Sequence, residues 1–187
     1  MDTKSLIIQI ATKLFQQKGY LGVGLNEILK VCNISKGSLY HHFPNGKEEL
    51  LIACLDSLND AITMDIEGIF NENPTTEEAT SAMIEKLIVQ YETEGTISGY
   101  TFSSIVSEMS ALSVPVRRAY ADLYEKMQRI YADKLINDGI SEERAISIAM
   151  MMTASIEGAM MLSLTQKAVH PLRVVSQELL KIIKANK

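Results

Sequence analysis

Apolar residues recur every three or four positions along most of the chain. The first such stripe lies in residues 2–18 and is formed by Leu6, Ile7, Ile10, Ala11, Leu14 and Phe15. This period predicts an amphipathic helix rather than a strand. Gly19 follows the stripe, and a glycine in the left-handed conformation is a common way for a helix to end. We therefore predict a first helix that ends at Gly19.

The same period predicts eight further helices, because breaks rich in Gly, Pro, Asn and Ser separate the remaining apolar stripes. Thr75 and Glu78 have the spacing of a capping box at one of these helix starts. No alternating pattern indicates a strand, so we predict an all-α fold with a three-helix N-terminal head, a long connecting helix and a five-helix body. The predicted helices span residues 2–18, 25–32, 36–42, 47–70, 75–93, 100–112, 115–137, 142–167 and 171–185.

The two short helices at 25–32 and 36–42 are separated only by Asn33-Ile34-Ser35. Asparagine tolerates the left-handed backbone that a tight turn requires, and Ser35 is a good N-cap for the second helix. Leu39 and Phe43 lie four residues apart and are predicted to face the core. The same helix then presents a polar face suited to phosphates and to base edges in a DNA major groove. That face comprises Lys36, Ser38, Tyr40, His41 and His42.

The charge distribution supports a nucleic-acid partner, although the whole chain carries a formal charge of −5. Residues 1–47 contain six lysines against Asp2 and Glu27, a formal charge of +4. The remainder contains 12 basic and 21 acidic residues, a formal charge of −9. A basic head on an acidic body is expected when one end meets phosphates and the other does not.

Catalytic and metal-binding motifs are not evident. Cys32 and Cys54 have no zinc-site spacing, and we expect them to be buried, reduced thiols. His41 and His42 point to different helix faces and have no third ligand nearby in sequence. The sequence contains no nucleophile elbow and no phosphate-binding loop. We therefore predict no enzymatic activity, no metal and no cofactor.

One stretch has the length of a membrane span. Residues 145–164 are apolar apart from Glu157, a charge that would be costly in lipid. A helix that is apolar all round can instead be covered by a core on one side and a partner subunit on the other. The N-terminus has no signal-peptide pattern. We expect a cytoplasmic protein without a membrane contact.

The head resembles the TetR/AcrR family of bacterial transcriptional repressors. The resemblance rests on residues 28–43, ILKVCNISKGSLYHHF, followed by Lys47-Glu48-Glu49-Leu50. The PNGKEEL stretch and the opening Gly24-Leu25-Asn26 are most similar to the LmrA/YxaF-like branch. The sequence departs from the family pattern at Leu29, where a small residue is usual, and at Asn33, where glycine is usual. The resemblance implies a DNA-binding domain over residues 1–48 and an effector-binding and dimerisation domain over residues 49–187.

The resemblance also implies roles for individual residues. Lys36 and Ser38 are expected to reach base edges, Tyr40 and His42 to reach phosphates, and His41 to do either. Lys47 is expected to bind a phosphate. The complete DNA-binding set implied by the resemblance is Asn26, Ser35, Lys36, Gly37, Ser38, Tyr40, His41, His42 and Lys47.

The resemblance further implies a homodimer that binds a palindromic double-stranded operator and is released by a small hydrophobic effector. The body's methionines and tyrosines suit either an ordinary core or an adaptable ligand pocket. The pocket is expected to comprise Tyr91, Tyr100, Phe102, Met109, Tyr120, Tyr124, Met127 and Met152. The dimer interface is expected to comprise Met151, Ala154, Ser155, Gly158, Leu162, Leu172, Val175 and Leu179.

Two other functions stay open on the sequence alone. An activator can be built on the same scaffold as a repressor. An enzyme or small-molecule carrier with an incidental helix-turn-helix is the other alternative, and a steep fall of duplex affinity with salt would argue against it.

Overall fold

The computed structural model describes residues 2–97 and 113–187. This part of the chain forms eight helices and no strand, which confirms the predicted all-α class. The helix predicted at 100–112 lies outside the described residues. The helices are α1 (Thr3–Gly22), α2 (Leu25–Cys32), α3 (Lys36–His42), α4 (Lys47–Glu72), α5 (Thr76–Glu94), α6 (Val114–Asn137), α7 (Glu142–Gln166) and α8 (His170–Ala185).

The end of α1 differs from the prediction. The regular helix is interrupted at Gly19, where φ is 72° and ψ is 167°. The positive φ favours glycine, but this ψ is far from that of the left-handed helical conformation. The chain then makes one more helical turn, to Gly22. Gly19 is therefore a kink rather than the predicted left-handed cap.

The described residues divide into two compact units. The first contains residues 2–61 together with 113–122, so it extends beyond the head motif of residues 1–48. Glu48 accepts a hydrogen bond from Ser113 Oγ at 2.7 Å, and the Asn59 amide donates to the Ala119 carbonyl at 2.7 Å. These bonds join α4 to the first turns of α6. The core of this unit includes Ile7, Ala11, Phe15, Ile28, Leu39, Phe43, Leu50, Leu51, Cys54, Leu55 and Val116.

The second unit contains residues 62–97 and 123–187. In it α8 packs against both α5 and α7. The predicted capping box at the start of α5 is confirmed, with Thr75 and Glu78 each capping the other's backbone N–H. Asp138 adds a second anchor at this point, because its carboxylate accepts the Thr76 N–H at 2.8 Å and lies 3.2 Å from Lys187 Nζ. The start of α5 is thus fixed from both sides.

Helix α7 is, among the described residues, the one helix long and apolar enough to cross a membrane. Core helices of soluble proteins pass the same test. Two sides of α7 differ in burial. Ile148, Met152 and Ile156 are buried, whereas Ile146 and Met150 are more than half exposed. The helix therefore has one face in the core of its unit and one exposed apolar face.

Candidate nucleic-acid interface

The position of α3 is fixed by its two ends. Asn33 adopts the left-handed conformation, with φ 53° and ψ 48°, as predicted for the turn. Ser35 is the predicted N-cap, and its Oγ accepts the Ser38 N–H at 3.1 Å. At the other end the Phe43 N–H donates to the Leu39 carbonyl at 2.8 Å. Because Ser35 Oγ accepts the N–H of Ser38, the backbone N–H groups of Lys36 and Gly37 have no partner within the helix.

The apolar side of α3 is buried as predicted. Leu39 and Phe43 are each 1% exposed. Burying side chains of this size stabilises a fold by about 1.5–3 kcal/mol each, so this side sets the orientation of the short helix. The opposite side is left at the surface. Lys36, Gly37, Tyr40 and His41 are exposed, and Ser38 and His42 are half-buried.

Gly37 lies in the middle of this surface, and the subunit itself does not require glycine there. A Cβ atom at this position would meet Ser35 Oγ at 3.8 Å, an ordinary contact distance. Its φ is not in the positive region that favours glycine. What the missing side chain provides is bare backbone at the surface, where another molecule can approach closely.

The Tyr40 side chain is 38% exposed but is held in place by its neighbours. A Cβ atom at Gly46 would lie 3.7 Å from the Tyr40 ring, so the ring covers the turn that leads into α4. Gly46 has a φ of 76°, and its N–H donates to the Phe43 carbonyl at 2.9 Å. On the other side, Lys36 Nζ lies 5.8 Å from the Tyr40 ring centroid. The Tyr40 ring therefore lies between Gly46 and Lys36, and part of it remains accessible to solvent.

Lys47, the predicted phosphate ligand at the start of α4, is half-buried. Its Nζ donates to the Tyr20 carbonyl at 2.5 Å and lies 4.1 Å from the Tyr20 ring centroid. Partial burial lowers the pKa of Lys47, while burial and then the charge of Glu48 raise the pKa of Tyr20. An ammonium group has three donors, so the Tyr20 carbonyl does not exhaust its capacity. In this structure Lys47 joins the start of α4 to the last turn of α1.

The remaining predicted residue, Asn26, is exposed in the first turn of α2. Its neighbour Glu27 pairs with Lys18 at 2.5 Å, which ties α2 to α1 beside the Gly19 kink. The structure thus places the nine predicted DNA-binding residues in the head-containing unit. It adds Tyr20 and Ser113, as the partners of Lys47 and Glu48, which sequence spacing gave no means of finding.

The predicted pocket residues that the structure describes are divided between the two units. Tyr120 belongs to the head-containing unit, whereas Tyr91, Tyr124, Met127 and Met152 belong to the second unit. Three surface grooves of about 310, 230 and 350 Å³ in the described part of the chain are lined by other residues. The other predicted pocket residues, Tyr100, Phe102 and Met109, lie outside the described residues.

The predicted dimer residues fall into three groups that differ in burial. Leu172 and Leu179 are buried inside the second unit, which leaves them no surface for a partner. Val175, Met151 and Ser155 are half-buried. The other three, Ala154, Gly158 and Leu162, are exposed on α7 at a spacing of four residues, so each lies next to the following one on the helix surface. Ile146 and Met150, which were not among the predicted interface residues, continue this exposed row toward the start of α7.

Comparison with known proteins agrees with this arrangement. Residues 7–54 match the profile of bacterial regulatory proteins of the tetR family, and residues 76–178 match the C-terminal domain of LmrA/YxaF-like transcriptional regulators. The chain is 36% identical to the HTH-type transcriptional regulator LmrA of Bacillus subtilis, over 94% of this chain and 93% of LmrA.

Two further proteins are similar to this chain, one in the sequence of a segment and one in fold. Over 64 residues, 33% of this chain and 34% of the relative, the sequence is 45% identical to IcaR of Staphylococcus aureus, a negative transcriptional regulator of the biofilm operon icaADBC. The fold is similar to the reduced form of Escherichia coli NemR, with a TM-score of 0.85 and 23% identity over 96% of this chain and 95% of NemR. The exposed helix α3, its caps and the match over both parts of the chain lead to one conclusion: the protein belongs to the tetR family of bacterial transcriptional regulators, in the LmrA/YxaF-like branch.

Proposed function

We propose that this regulator is a repressor that binds a palindromic DNA operator as a homodimer and leaves it when a small hydrophobic effector binds. The observation that carries the proposal is α3, which buries Leu39 and Phe43 and presents a contiguous polar surface outward. The negative regulation named for IcaR supports repression rather than activation. A protein that meets chromosomal DNA acts in the cytoplasm, and the uncovered face of α7 then meets a second subunit rather than lipid.

The outward surface of α3 suits the major groove of B-DNA. Lys36 and Ser38 lie in the first turn, which is the part of a recognition helix that reaches base edges. Tyr40 and His42 are suited to phosphate oxygens, which position a protein on the duplex without reading its sequence. Lys47 adds a positive charge at the start of α4, where a phosphate can share its ammonium group with the Tyr20 carbonyl.

The exposed row of α7 supports a twofold dimer. Small residues at Ala154 and Gly158 allow two helices to approach closely, and a Cβ atom at Gly158 would have no neighbour within 4 Å in the single subunit. Ile146, Met150 and Leu162 are each at least half exposed, and association would remove their apolar surface from water. In a twofold interface the same row faces its own copy. Two heads held in this way can reach successive major grooves, about 34–36 Å apart.

The effector is proposed to act through α4. This helix is continuous from Lys47 to Glu72, so a displacement at one point of it is passed along the helix. A ligand shifts the equilibrium only by its difference in affinity for the two states, and a coupling of roughly 1–3 kcal/mol is usual.

The test uses an operator selected from random duplexes and the full-length protein, with binding followed by fluorescence anisotropy at several salt concentrations. Lys36→Ala should weaken binding to the selected duplex and reduce its preference over random DNA. Lys181→Ala is the control, because it removes one lysine from the exposed surface of α8. Equal affinities of Lys36→Ala and Lys181→Ala for the operator would refute the assignment of α3.

A further inference from the structure

Three lysines of the head lie against aromatic rings. Lys36 and Lys47 are two of them, and Lys4, exposed in the first turn of α1, is the third. Lys4 Nζ lies 6.0 Å from the centroid of the Phe43 ring, at the outer limit of a cation–π contact. Such a contact gives a lysine side chain a direction without neutralising it, because the ring has no net charge. The direction of Lys4 is therefore set by the residue that ends α3.

The carboxylates of the head are held by groups other than Lys4. Asp2 is the N-cap of α1, and its two oxygens accept the Ser5 N–H at 2.8 Å and the Ser5 hydroxyl at 3.2 Å. Each of the other acidic residues between positions 2 and 50 has its own partner, namely Lys18 for Glu27, Ser113 for Glu48 and the Asn45 N–H for Glu49. Within the described part of the chain, Lys4 forms no ion pair. Its ammonium group is thus an unpaired positive charge at the surface.

The Phe43 ring brings Lys4 close to a residue that is suited to phosphate. The centroids of the Phe43 and His42 rings are 6.4 Å apart, so Lys4 and His42 are neighbours of the same buried side chain. Along each strand of a DNA duplex the phosphates repeat about every 3.4 Å of helix axis. A cation beside one phosphate ligand is therefore within reach of another phosphate of the same strand.

We propose that the Lys4 ammonium binds a backbone phosphate of the operator beside the one that His42 meets, so that the DNA interface extends from α3 to the start of α1. The inference rests on the proposed binding of DNA by α3 and adds a residue of α1 to that surface. An ammonium group offers three N–H donors and a compact charge, which suit a phosphodiester oxygen. A phosphate contact positions the protein without reading bases, so Lys4 strengthens binding to every duplex alike.

The experiment compares two lysines of the same helix. Lys4→Gln removes the proposed contact, Lys4→Arg keeps the charge, and Lys13→Gln is the matched control. Lys13 is also exposed on α1, but nine residues turn the helix by about two and a half revolutions, which places it on the opposite side. There it borders the groove between α1 and α4. Affinities of the full-length proteins for the selected operator and for a random duplex are measured by anisotropy at several salt concentrations, and melting curves verify that each variant is folded.

The salt dependence gives the expected size of the effect. Each neutralised phosphate contributes about 0.9 to the slope of log affinity against log salt, and a dimer of Lys4→Gln loses two contacts, so the slope should become shallower by about 1.8. The ratio of wild-type to Lys4→Gln affinity should therefore shrink about twelvefold between 50 and 200 mM salt. Lys4→Arg and Lys13→Gln should keep the wild-type slope. The preference for the operator over random DNA should be the same in all four proteins.

Three results would count against this contact. Equal slopes for Lys4→Gln and Lys13→Gln would overturn the inference, because the charge of Lys4 would then act no differently from that of a lysine on the far side of α1. A changed preference for the operator in Lys4→Gln would also overturn it, since a backbone contact carries no sequence information. Failure of the wild type to bind any duplex would contradict the proposed function together with the inference, whereas salt-dependent binding with equal slopes contradicts the inference alone.

Discussion

Removing the hydroxyl group of Tyr40 should weaken operator binding without disturbing the head. The ring of Tyr40 packs on the turn at Gly46 and near Lys36, and Tyr40→Phe keeps both of these contacts. The hydroxyl end belongs to a side chain that is 38% exposed, so its loss should change the free energy of unfolding by no more than about 0.5 kcal/mol. A loss of operator affinity larger than this would therefore come from a lost contact between the hydroxyl and DNA.

The size of the effect follows from the proposed contact. A hydrogen bond to a charged group contributes about 1.5–3 kcal/mol. We take the lower end, about 1.5 kcal/mol, because a phosphate stays partly solvated in the complex. A symmetric dimer loses the bond twice, which gives about 3 kcal/mol and an affinity roughly 100-fold lower.

The assay is a titration of the selected operator at several salt concentrations, monitored by fluorescence anisotropy. Because the hydroxyl carries no charge, the slope of log affinity against log salt should be the same for Tyr40→Phe and the wild type. Tyr91→Phe, in the second unit, provides the control for loss of a tyrosine hydroxyl elsewhere. An operator affinity of Tyr40→Phe within twofold of the wild type would refute the proposed phosphate contact.

Three further predictions concern the structures that support the two units. Leu39→Ala should lower the free energy of unfolding of the head by about 2–5 kcal/mol in urea titrations, because Leu39 is 1% exposed, and operator binding should be lost with it. Gly46→Ala should lower the melting temperature through backbone strain of about 1 kcal/mol, since φ is 76° although space for a methyl group is available. Partial burial raises the pKa of Asp138, but the Thr76 N–H and Lys187 outweigh it and hold the pKa below its usual range. The ionised carboxylate therefore stabilises the fold fully at pH values above the unfolded-state pKa of about 3.9. The melting temperature of wild type should exceed that of Asp138→Asn at pH 7, and this difference should disappear as the pH falls through the lower folded-state pKa.

The features of the head that could be predicted from the sequence are local ones. The turn at Asn33, the cap at Ser35 and the buried pair Leu39 and Phe43 each depend on residues within a few positions of one another. Backbone preference and helical period determine such features without knowledge of the rest of the chain. The outward surface of α3 follows from them because a seven-residue helix has only one other side.

The features that could not be predicted depend on residues distant in sequence. Lys47 meets Tyr20 across 27 positions, and no spacing rule indicates a bond between a side chain and a remote carbonyl. On α8, the pattern of apolar residues did not show which of them pack on α5 and α7 and which remain free for a second subunit. Leu172 and Leu179 are buried within their own unit. On α7 the predicted interface residues Ala154, Gly158 and Leu162 are exposed, whereas Met151 and Ser155 are half-buried.

Hydroxyl-radical footprinting of the full-length protein on its selected operator most directly tests whether α3 is a DNA reader presented twice by a symmetric pair. We predict a palindromic site with two equivalent protected regions about 34–36 Å apart, one helical turn of the duplex. We also predict that Lys36→Ala lowers protection in both regions equally. A single protected region bound by one subunit, or a selection that enriches no sequence over random duplex DNA, would contradict the account.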